Sequence, residues 1–519
     1  MLTTTRVIKN TGFLYVKMGI TVFISLYTTR LIFASLGASD FGVFNIVGGA
    51  ITMLGFLNST MANATQRFMS YAEGANDLLK KKQVFNVSMV LHIGVALLTG
   101  LILLAAMYPL FNGIFNIQPD RIFAAEVIYL SLVVSTMFTI VNVPYDAVMN
   151  AHENMLYYAL IGIFEAFLKL LVAFACVYTT SDKLIVYGIL MAIIPFVTLT
   201  IMKIYCHRKY EECFIGLKKY WSRGLVKEIA SFSGWNFLTA ISSLVSFYGT
   251  GLVLNHFFGT ILNAAQGIAN QVNGQMSTFS LNLMKAVNPV IVKRAGAQDV
   301  EAMNKATLAS GKYSTLLIVF FAIPFMLEMH YVLNVWLKGV PEWTSLFCCL
   351  QLVITIICQM ASSAATSIYA QGNIKWYAIY KSMMNIAPVI VTYIAYILGG
   401  APYWLYIAMI TIWAVGGNMV IIRYANKVSN LKIITFFREI VFPVISVVIL
   451  MLALGYLPQL LMVEGFSRLI VSCVITSLVF VFMMWRRIFT NNERQMVIDF
   501  VRKKEILNKK VISLDSQKH

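Results

Sequence analysis

Apolar runs recur along the whole chain, and short polar connections separate them. An α-helix of about 20 apolar residues spans the hydrocarbon core of a bilayer. The pattern predicts an all-α polytopic membrane protein with about fourteen transmembrane helices. Their predicted limits are 11–35, 41–64, 84–109, 122–143, 156–180, 184–205, 230–254, 262–288, 313–335, 344–368, 377–398, 403–422, 440–457 and 465–485.

The longest internal connection, 206–229, divides the first twelve predicted spans into two sets of six. We therefore expect an N-lobe at 1–205, a cytoplasmic linker at 206–229 and a C-lobe at 230–422. Residues 423–485 carry the two remaining spans, and a basic cytoplasmic tail follows at 486–519.

A short internal similarity supports the two sets of six spans. Residues 25–31 (SLYTTRL) resemble residues 246–252 (SFYGTGL), and each segment lies late in the first span of its set. Repeats of six spans occur in transporters, where the substrate path runs between the two halves. The similarity therefore favours a transporter built from two related lobes.

Lysine and arginine residues are distributed unevenly between the predicted connections. Lys203 and Arg468 lie at span ends and are counted with the adjoining connections. With the N-terminus in the cytoplasm, 31 of the 40 then lie on the cytoplasmic side, four on the opposite side and five inside spans. This asymmetry follows the positive-inside rule and places both termini in the cytoplasm. The orientation of the chain in the membrane therefore explains most of the formal net charge of +18. Attraction to anionic lipid headgroups is a secondary effect, and no nucleic-acid partner is expected.

Composition excludes a soluble globular protein, because 59% of the residues are hydrophobic and only 12% are charged. Lys17 interrupts the first apolar run and no small-residue cleavage site follows, so we expect the first helix to be retained. The seven cysteines lie in or beside apolar runs without the spacing of a zinc site. We interpret them as packing residues.

Polar residues recur inside several spans at the spacing of one helix face. Two adjoining stripes in 262–288 contain Asn263, Gln266, Asn270, Asn273, Ser277 and Ser280, and Gln271, Gln275, Thr278, Asn282 and Lys285. Further stripes contain Lys17, Thr21, Ser25 and Thr28; Asn45, Thr52, Ser59 and Asn63; Asn236, Thr239, Ser243, Ser246 and Thr250; and Gln351, Thr355, Gln359, Ser362 and Thr366.

These stripes have two interpretations. Polar groups left unpaired in hydrocarbon cost kilocalories each, so the stripes must meet water or other polar groups. Hydrogen bonds between helices use the same residue types. Because the first two spans of each lobe carry matched stripes, we favour a hydrated cavity.

Five cations lie inside predicted spans, and such residues are functional candidates. Lys285 continues a polar stripe, which favours a place in the cavity lining. Lys17 and Lys381 lie near cytoplasmic ends, where snorkelling of the ammonium group is the competing interpretation. Arg30 lies near the external end of its span, and Asp40 is a candidate partner.

Lys169 lies deepest in its span, one helical turn after Glu165. This order and spacing suit an ion pair on one helix face. The pair is either self-neutralised and structural or a switch linked to protons or substrate.

Catalytic and nucleotide-binding motifs are absent from the sequence. It contains no Walker loop, HExxH, GxSxG or GxGxxG, and its six histidines are scattered. We therefore expect no catalytic residues, no metal and no cofactor. Transport would then draw on an ion gradient, the membrane potential or the gradient of the substrate.

Several short segments occur in an order typical of one protein family. They are TRL (29–31), LG (36–37) and DFGVF (40–44); QRF (66–68) and EG (73–74); PY (144–145), AHENM (151–155) and EA (165–166); AQGIANQV (265–272) and NP (288–289); and WLKGVP (336–341). Together they resemble the Wzx-type polysaccharide flippases. This family belongs to the superfamily that also contains multidrug (MATE) and lipid II exporters. The similarity covers almost the whole chain.

The resemblance implies two six-helix lobes around a V-shaped central cavity, with two additional C-terminal helices. It implies a multi-pass protein of the bacterial inner membrane that opens alternately to each side. The implied substrate is a short glycan on a polyprenyl diphosphate, moved to the periplasmic leaflet for surface polysaccharide synthesis, including O-antigen and lipopolysaccharide. A polymerase of the same pathway is an implied partner.

A cationic, amide-rich cavity suits a diphosphate and sugar hydroxyls, while the prenyl tail stays in lipid. Glu165 and Lys169 are the candidate pair for proton or sodium coupling. The arginine cluster of lipid II exporters is not obvious, because Arg30 is the one arginine inside a predicted span apart from Arg468 at the external end of 465–485. The candidate substrate-binding residues are Arg30, Arg67, Lys285, Lys381, Lys17, Asn270, Gln271, Asn273 and Asn282.

Two other functions compete with that of a flippase. A cation-coupled multidrug exporter of the same fold expects an intramembrane carboxylate in the first lobe and an anionic cavity. Glu165 is available there, but Lys169 lies beside it and the other cations inside spans favour an anionic substrate. A glycan polymerase or ligase would need a large external loop, whereas the predicted external loops are all short.

Overall fold

The computed structural model describes residues 2–52, 55–115, 117–337, 339–491, 493–495 and 498. The described residues are almost entirely helical and contain no strand. The helices are α1 (Leu2–Thr52), α2 (Gly55–Gly74), α3 (Leu78–Pro109), α4 (Ile122–Ala151), α5 (Met155–Tyr178), α6 (Lys183–Lys209), α7 (Leu217–Tyr220), α8 (Arg223–Gly296), α9 (Val300–Leu327), α10 (Met329–Trp336), α11 (Thr344–Gln371), α12 (Lys375–Ile397), α13 (Trp404–Ala408), α14 (Gly417–Ser429), α15 (Ile433–Phe436), α16 (Phe442–Gly455), α17 (Leu457–Leu461) and α18 (Phe466–Met483).

Short π-helical segments join or extend several of these helices. They lie at Leu110–Ile114, Met409–Gly416, Phe437–Val441 and Met484–Ile488. Because Met409–Gly416 links α13 to α14, residues Trp404–Ser429 form one continuous span. In the same way, Ile433–Leu461 forms one span.

The two longest helices each contain a sharp break at a glycine. Gly37 divides α1 at φ 77° and ψ 171°, and Gly259 divides α8 at φ 79° and ψ −173°. This backbone conformation is essentially restricted to glycine. The spacing between the two breaks matches, to within one residue, the spacing between the similar segments 25–31 and 246–252.

The number of spans agrees with the prediction from the sequence. Twelve described stretches are long and apolar enough to cross a membrane, and the 74-residue α8 is one of them. The break at Gly259 divides α8 into two spans, and the segment from Gly37 through α2 adds another. The predicted all-α class with about fourteen membrane helices is confirmed.

Successive spans run in opposite directions, so the connections collect at two ends of the bundle. One end contains the connections 75–77, 152–154, 210–222 and 297–299; we call it the basic end. The opposite end contains the breaks at Gly37 and Gly259 and the connection 179–182. The basic end is the one that the positive-inside rule assigns to the cytoplasm.

The helices pack as two groups with a shared contact. Helix α4 packs on α3 and α6, and α1 packs on α5, whereas α8 packs on α9, α11 and α12. Helices α16 and α18 pack on each other and on α9.

The lobe limits 1–205 and 230–422 stay predictions. Beyond residue 498, the predicted tail 486–519 lies outside the described residues.

The two groups meet at the basic end through a pair of equivalent turns. Gly74-Ala75-Asn76-Asp77 ends α2, and Gly296-Ala297-Gln298-Asp299 ends α8. Asn76 and Gln298 have positive φ values of 54° and 59°. The side chains of Asp77 and Asp299 cap the next helices by accepting hydrogen bonds from the backbone N–H of Lys80 and Ala302. The matching turns indicate an internal structural repeat.

The ends of α2 and α8 cross with their backbones in direct contact. A Cβ atom added at Gly74 would overlap the backbone of Lys293, and one added at Gly296 would overlap the backbone of Tyr71. Tyr71 and Gly74 have the same places relative to the first turn as Lys293 and Gly296 have relative to the second. The crossing is therefore symmetric and requires glycine at both positions.

We predict that Gly74→Ala and Gly296→Ala each destabilise the protein by about 1–3 kcal/mol, because a methyl group forces two backbones apart. Unfolding in detergent measures the effect. Gly267→Ala and Gly274→Ala are matched controls, because a Cβ at either position meets no atom within 4 Å. Equal midpoints for all four variants would contradict the close crossing.

Candidate functional site

Two lysines from different helices converge on one aromatic ring in the bundle interior. The Lys17 Nζ atom of α1 lies 4.4 Å from the centre of the Tyr158 ring of α5. The Lys285 Nζ atom of α8 lies 3.6 Å from the same centre. Cation–π contacts of this kind stabilise an ammonium group away from bulk water. Lys17 therefore points towards α5, which favours a place in the cavity lining over snorkelling.

Asp146 of α4 is a carboxylate that faces both of these lysines. Both Lys17 and Lys285 interact electrostatically with it, and the Asn142 Nδ2 atom donates to Asp146 Oδ2 at 3.4 Å. A cavity of about 160 Å³ contains Lys17, Asn142, Asp146, Tyr158 and Glu165 in its lining. We call Lys17, Asp146, Tyr158 and Lys285 the lysine cluster.

Sequence reasoning missed Asp146 because it ended the fourth span at residue 143, before Pro144. The structure continues α4 to Ala151 through that proline, so Asp146 lies inside the helix. Thr139, Asn142 and Asp146 follow the steps of three and four residues that mark one helix face. Extending the predicted span by two turns would have revealed the carboxylate.

Glu165 and Lys169 form an ion pair on α5, with 2.7 Å between Lys169 Nζ and Glu165 Oε1. Their side chains are 39% and 42% exposed. Glu165 also lines the cavity beside the lysine cluster. With Asp146, two carboxylates thus face three ammonium groups, from Lys17, Lys169 and Lys285. This part of the bundle keeps an excess positive charge.

The second half of α8 presents amide side chains on its exposed face. Asn263, Gln271 and Gln275 are exposed, whereas Ala265 and Ala269 are fully buried. A face that is both exposed and amide-rich cannot lie against lipid without cost. We therefore expect this face to border water rather than lipid.

Three other predicted amides of α8 differ in their surroundings. Asn282 contacts α1, because its Nδ2 atom lies 3.1 Å from Met18 Sδ. Asn270 is half-buried. The Asn273 side-chain oxygen accepts a hydrogen bond of 2.5 Å from Thr355 of α11. Asn273 thus faces α11.

Two of the predicted stripes bond to other helices, which corrects the preference for water at these positions. In the first half of α8, Ser242 and Ser243 receive hydrogen bonds of 3.0 and 2.9 Å from Asn385 of α12. On α11, Gln359 donates to Ser314 of α9 at 2.9 Å. Hydrogen bonding between helices, the competing interpretation, holds for these stripes.

The remaining predicted cations lie away from the lysine cluster. Lys381 lies against Gly417 of α14, with its Nζ atom 5.7 Å from the Trp413 ring centre. Arg30 is exposed near the opposite end. Asp40 pairs with Arg121, which also bonds Asp182, so the suggested Arg30–Asp40 pair is wrong.

Arg67 joins the two helix groups near the basic end. Its Nε atom donates to the Tyr369 carbonyl and its Nη2 atom to the Ala370 carbonyl, both at 3.0 Å. These carbonyls belong to the last turn of α11, where a cation is favoured by the helix dipole. In this conformation Arg67 holds α2 against α11.

A charged network at the basic end reinforces this contact. Lys293 of α8 donates to Glu153 Oε1 at 2.9 Å, and Lys81 donates to Glu73 Oε2 at 2.8 Å. His152 lies between Glu73 and Glu212, at 3.4 and 2.5 Å. The carboxylate and imidazole ligand atoms of this trio all lie within 4.8 Å of one another. The neighbouring lysines already supply the positive charge that a metal ion would provide.

Solved transporter structures share this fold. An outward-facing multidrug resistance MATE family transporter of the MOP superfamily matches with a TM-score of 0.70 and 15% identity, over 83% of this chain and 97% of that chain. A MATE structure in complex with MaD3S matches with a TM-score of 0.68 and 13% identity, over 83% and 97%. The chain has the fold of these transporters.

A third similar structure is a MOP superfamily transporter from Pyrococcus furiosus, with a TM-score of 0.67 and 15% identity over 83% of this chain and 96% of that one. It is described as having a binding pocket of reversed polarity that suggests a different function. No protein-family model and no curated protein sequence matches the chain.

The linker carboxylate Glu212 is expected to give a pH-dependent stability. Burial opposes its ionisation, but the hydrogen bond and positive charge of His152 lower the pKa of Glu212 below its ordinary value of 4.5. The ionised carboxylate therefore stabilises the docked linker above that value, and the stabilisation is lost as the pH falls through the lowered pKa.

We predict that Glu212→Gln reduces the loss of thermal stability of the purified protein as the pH falls from about 6 to about 3. Glu301→Gln is the control, because the Glu301 side chain is 81% exposed. If Glu212→Gln kept the pH dependence of the unchanged protein, the ion pair would not stabilise the linker.

Proposed function

We propose that the chain is a flippase that moves polyprenyl-diphosphate-linked oligosaccharides from the cytoplasmic to the periplasmic leaflet. The lysine cluster is the observation that carries this proposal. Lys17 and Lys285 bring two ammonium groups to one ring in the bundle interior, and the surrounding charges leave a positive excess. A diphosphate headgroup supplies the missing negative charge through strong charge-assisted hydrogen bonds.

The amide-bearing face of α8 suits the glycan part of this substrate. Gln271 and Gln275 are exposed, and an amide group both donates and accepts hydrogen bonds. Sugar hydroxyls need both functions. The exposed amides thus support a substrate that carries sugars beside its anionic group.

The apolar part of the substrate can remain in the membrane. A hydrogen bond of 2.7 Å from Tyr15 to the Phe279 carbonyl and a contact between Asn282 and Met18 join α1 to α8. Beyond them, Phe23 and Leu26 on α1 are 77% and 67% exposed. These apolar surfaces flank the route by which a headgroup can enter the cavity while its prenyl tail stays in lipid.

A cation-coupled multidrug exporter is the second candidate, and Asp146 is the observation that favours it. That function expects a carboxylate inside the first lobe. Asp146 meets this requirement in position, but Lys17 and Lys285 oppose its charge. The excess of cations makes the anionic lipid the better candidate. Coupling to protons or sodium is compatible with both functions.

Reconstitution in liposomes tests the proposal with a fluorescent polyprenyl-diphosphate glycan and, in parallel, a cationic dye. We expect Lys285→Ala to lower the rate of lipid flipping by about tenfold without lowering abundance, because it removes a charged hydrogen-bond donor. Lys285→Arg keeps the charge and should retain most of the rate. Lys305→Ala changes an exposed lysine outside the lysine cluster and serves as the control variant. Transport of the dye but not of the lipid by the unchanged protein would overturn the proposal.

A further inference from the structure

A second cavity, of about 730 Å³, lies at the basic end outside the contact between the lobes. Its walls come from α2, the first turns of α8 and the turn between α11 and α12. The lining includes Arg67, Lys227, Trp235, Asn373 and Lys375. The cavity thus has cations on all three walls.

The charges around this cavity favour an anion. Arg67, Lys227 and Lys375 line it together with a single carboxylate, Glu228. Lys227 and Lys375 are exposed, and neither makes a hydrogen bond or ion pair with another described residue. The Lys375 Nζ atom lies 5.8 Å from the Trp235 ring centre. Both lysines are therefore available to a ligand.

The third cation of the cavity, Arg67, is only partly used by its contacts with α11. Its Nε and Nη2 atoms donate to the Tyr369 and Ala370 carbonyls, and these two bonds do not use the Nη1 group. The guanidinium is held in place by Phe68 and Phe232, whose ring centres lie 4.4 and 5.3 Å away. A preorganised guanidinium suits a phosphate oxygen.

Arg67 and Phe232 also line a smaller cavity of about 220 Å³ on the inner side. Its other walls are polar and include Asn63, Asn236 and Asn288. Arg67 and Phe232 therefore separate an outer cationic cavity from an inner polar one. The outer cavity is accessible while the lobes are in contact at the basic end.

We propose that the 730 Å³ cavity is a loading site for a diphosphate headgroup, bound by Arg67, Lys227 and Lys375 before the lobes part at the basic end. This inference rests on the proposed flippase function and adds a binding site distinct from the lysine cluster. The α12 N-terminus, which lacks a side-chain cap, lies at the same wall, and the positive end of its helix dipole favours an anion there.

Equilibrium binding of farnesyl diphosphate to the detergent-purified full chain tests the loading site. We expect the double variant Lys227→Ala/Lys375→Ala to bind at least about tenfold more weakly, because two charged donors are lost. The matched control is Lys203→Ala/Lys427→Ala, which removes two exposed lysines at the same end outside this cavity. The control should bind within about twofold of the unchanged protein.

Two further ligands identify the group that is recognised. Inorganic diphosphate should compete with farnesyl diphosphate, because both carry the same headgroup. Nanodiscs of phosphatidylglycerol should compete less well than inorganic diphosphate, because a phosphodiester carries one negative charge. Stronger competition by phosphatidylglycerol would instead assign the cavity to bulk anionic lipid and overturn the proposal.

Flipping assays on the same variants separate this inference from the proposed function. If the unchanged protein flips the lipid-linked glycan and both double variants bind farnesyl diphosphate equally, the loading site is overturned and the flippase function stands. A different outcome is that Lys227→Ala/Lys375→Ala alone loses binding, while neither the unchanged protein nor either variant flips the lipid. The anion site then stands and the flippase function fails.

Discussion

A polar side chain at bilayer depth must find either water or another polar group, and this requirement shapes the whole bundle. The first half of α8 meets it through Asn385, which bonds Ser242 and Ser243. The second half meets it differently, because Gln271 and Gln275 stay exposed. The first half of the helix thus bonds to its neighbour α12, and the second half keeps its amide groups exposed.

The crossing of α2 and α8 determines which side chains meet across the two helix groups. Because Gly74 and Gly296 allow the two backbones to touch, the helices are held together at the basic end. Lys285 lies three turns before Gly296 and is thereby brought against Tyr158 of the other lobe. The symmetry of the crossing suits a protein whose lobes alternate between two arrangements.

The sequence predicted the number of spans well, because each apolar run has the length of a membrane crossing. It also located Lys17 and Lys285, since cations inside apolar runs are conspicuous. It could not tell which polar stripes bond to other helices and which face water, because serine, threonine and asparagine serve both purposes. Only the positions of neighbouring helices decide between them.

The sequence alone did not reveal two important features, Asp146 and the pair of equivalent turns, and each has a physical explanation. Asp146 follows Pro144, and a proline is a common place to end a predicted helix, yet α4 continues through it. The equivalent turns at 74–77 and 296–299 share only three residue types across a long interval. So short a match carries little weight until the backbone shows that both turns have the same conformation.

We expect the amide-bearing face of α8 to border water at bilayer depth. Labelling of introduced cysteines with a membrane-impermeant maleimide in intact cells measures this directly, and none of the seven native cysteines is fully exposed. Gln271→Cys and Gln275→Cys should react, whereas Leu101→Cys, at a lipid-facing position that is 65% exposed, should not. If positions 271 and 275 reacted as poorly as position 101, the cavity and the transport function built on it would be contradicted.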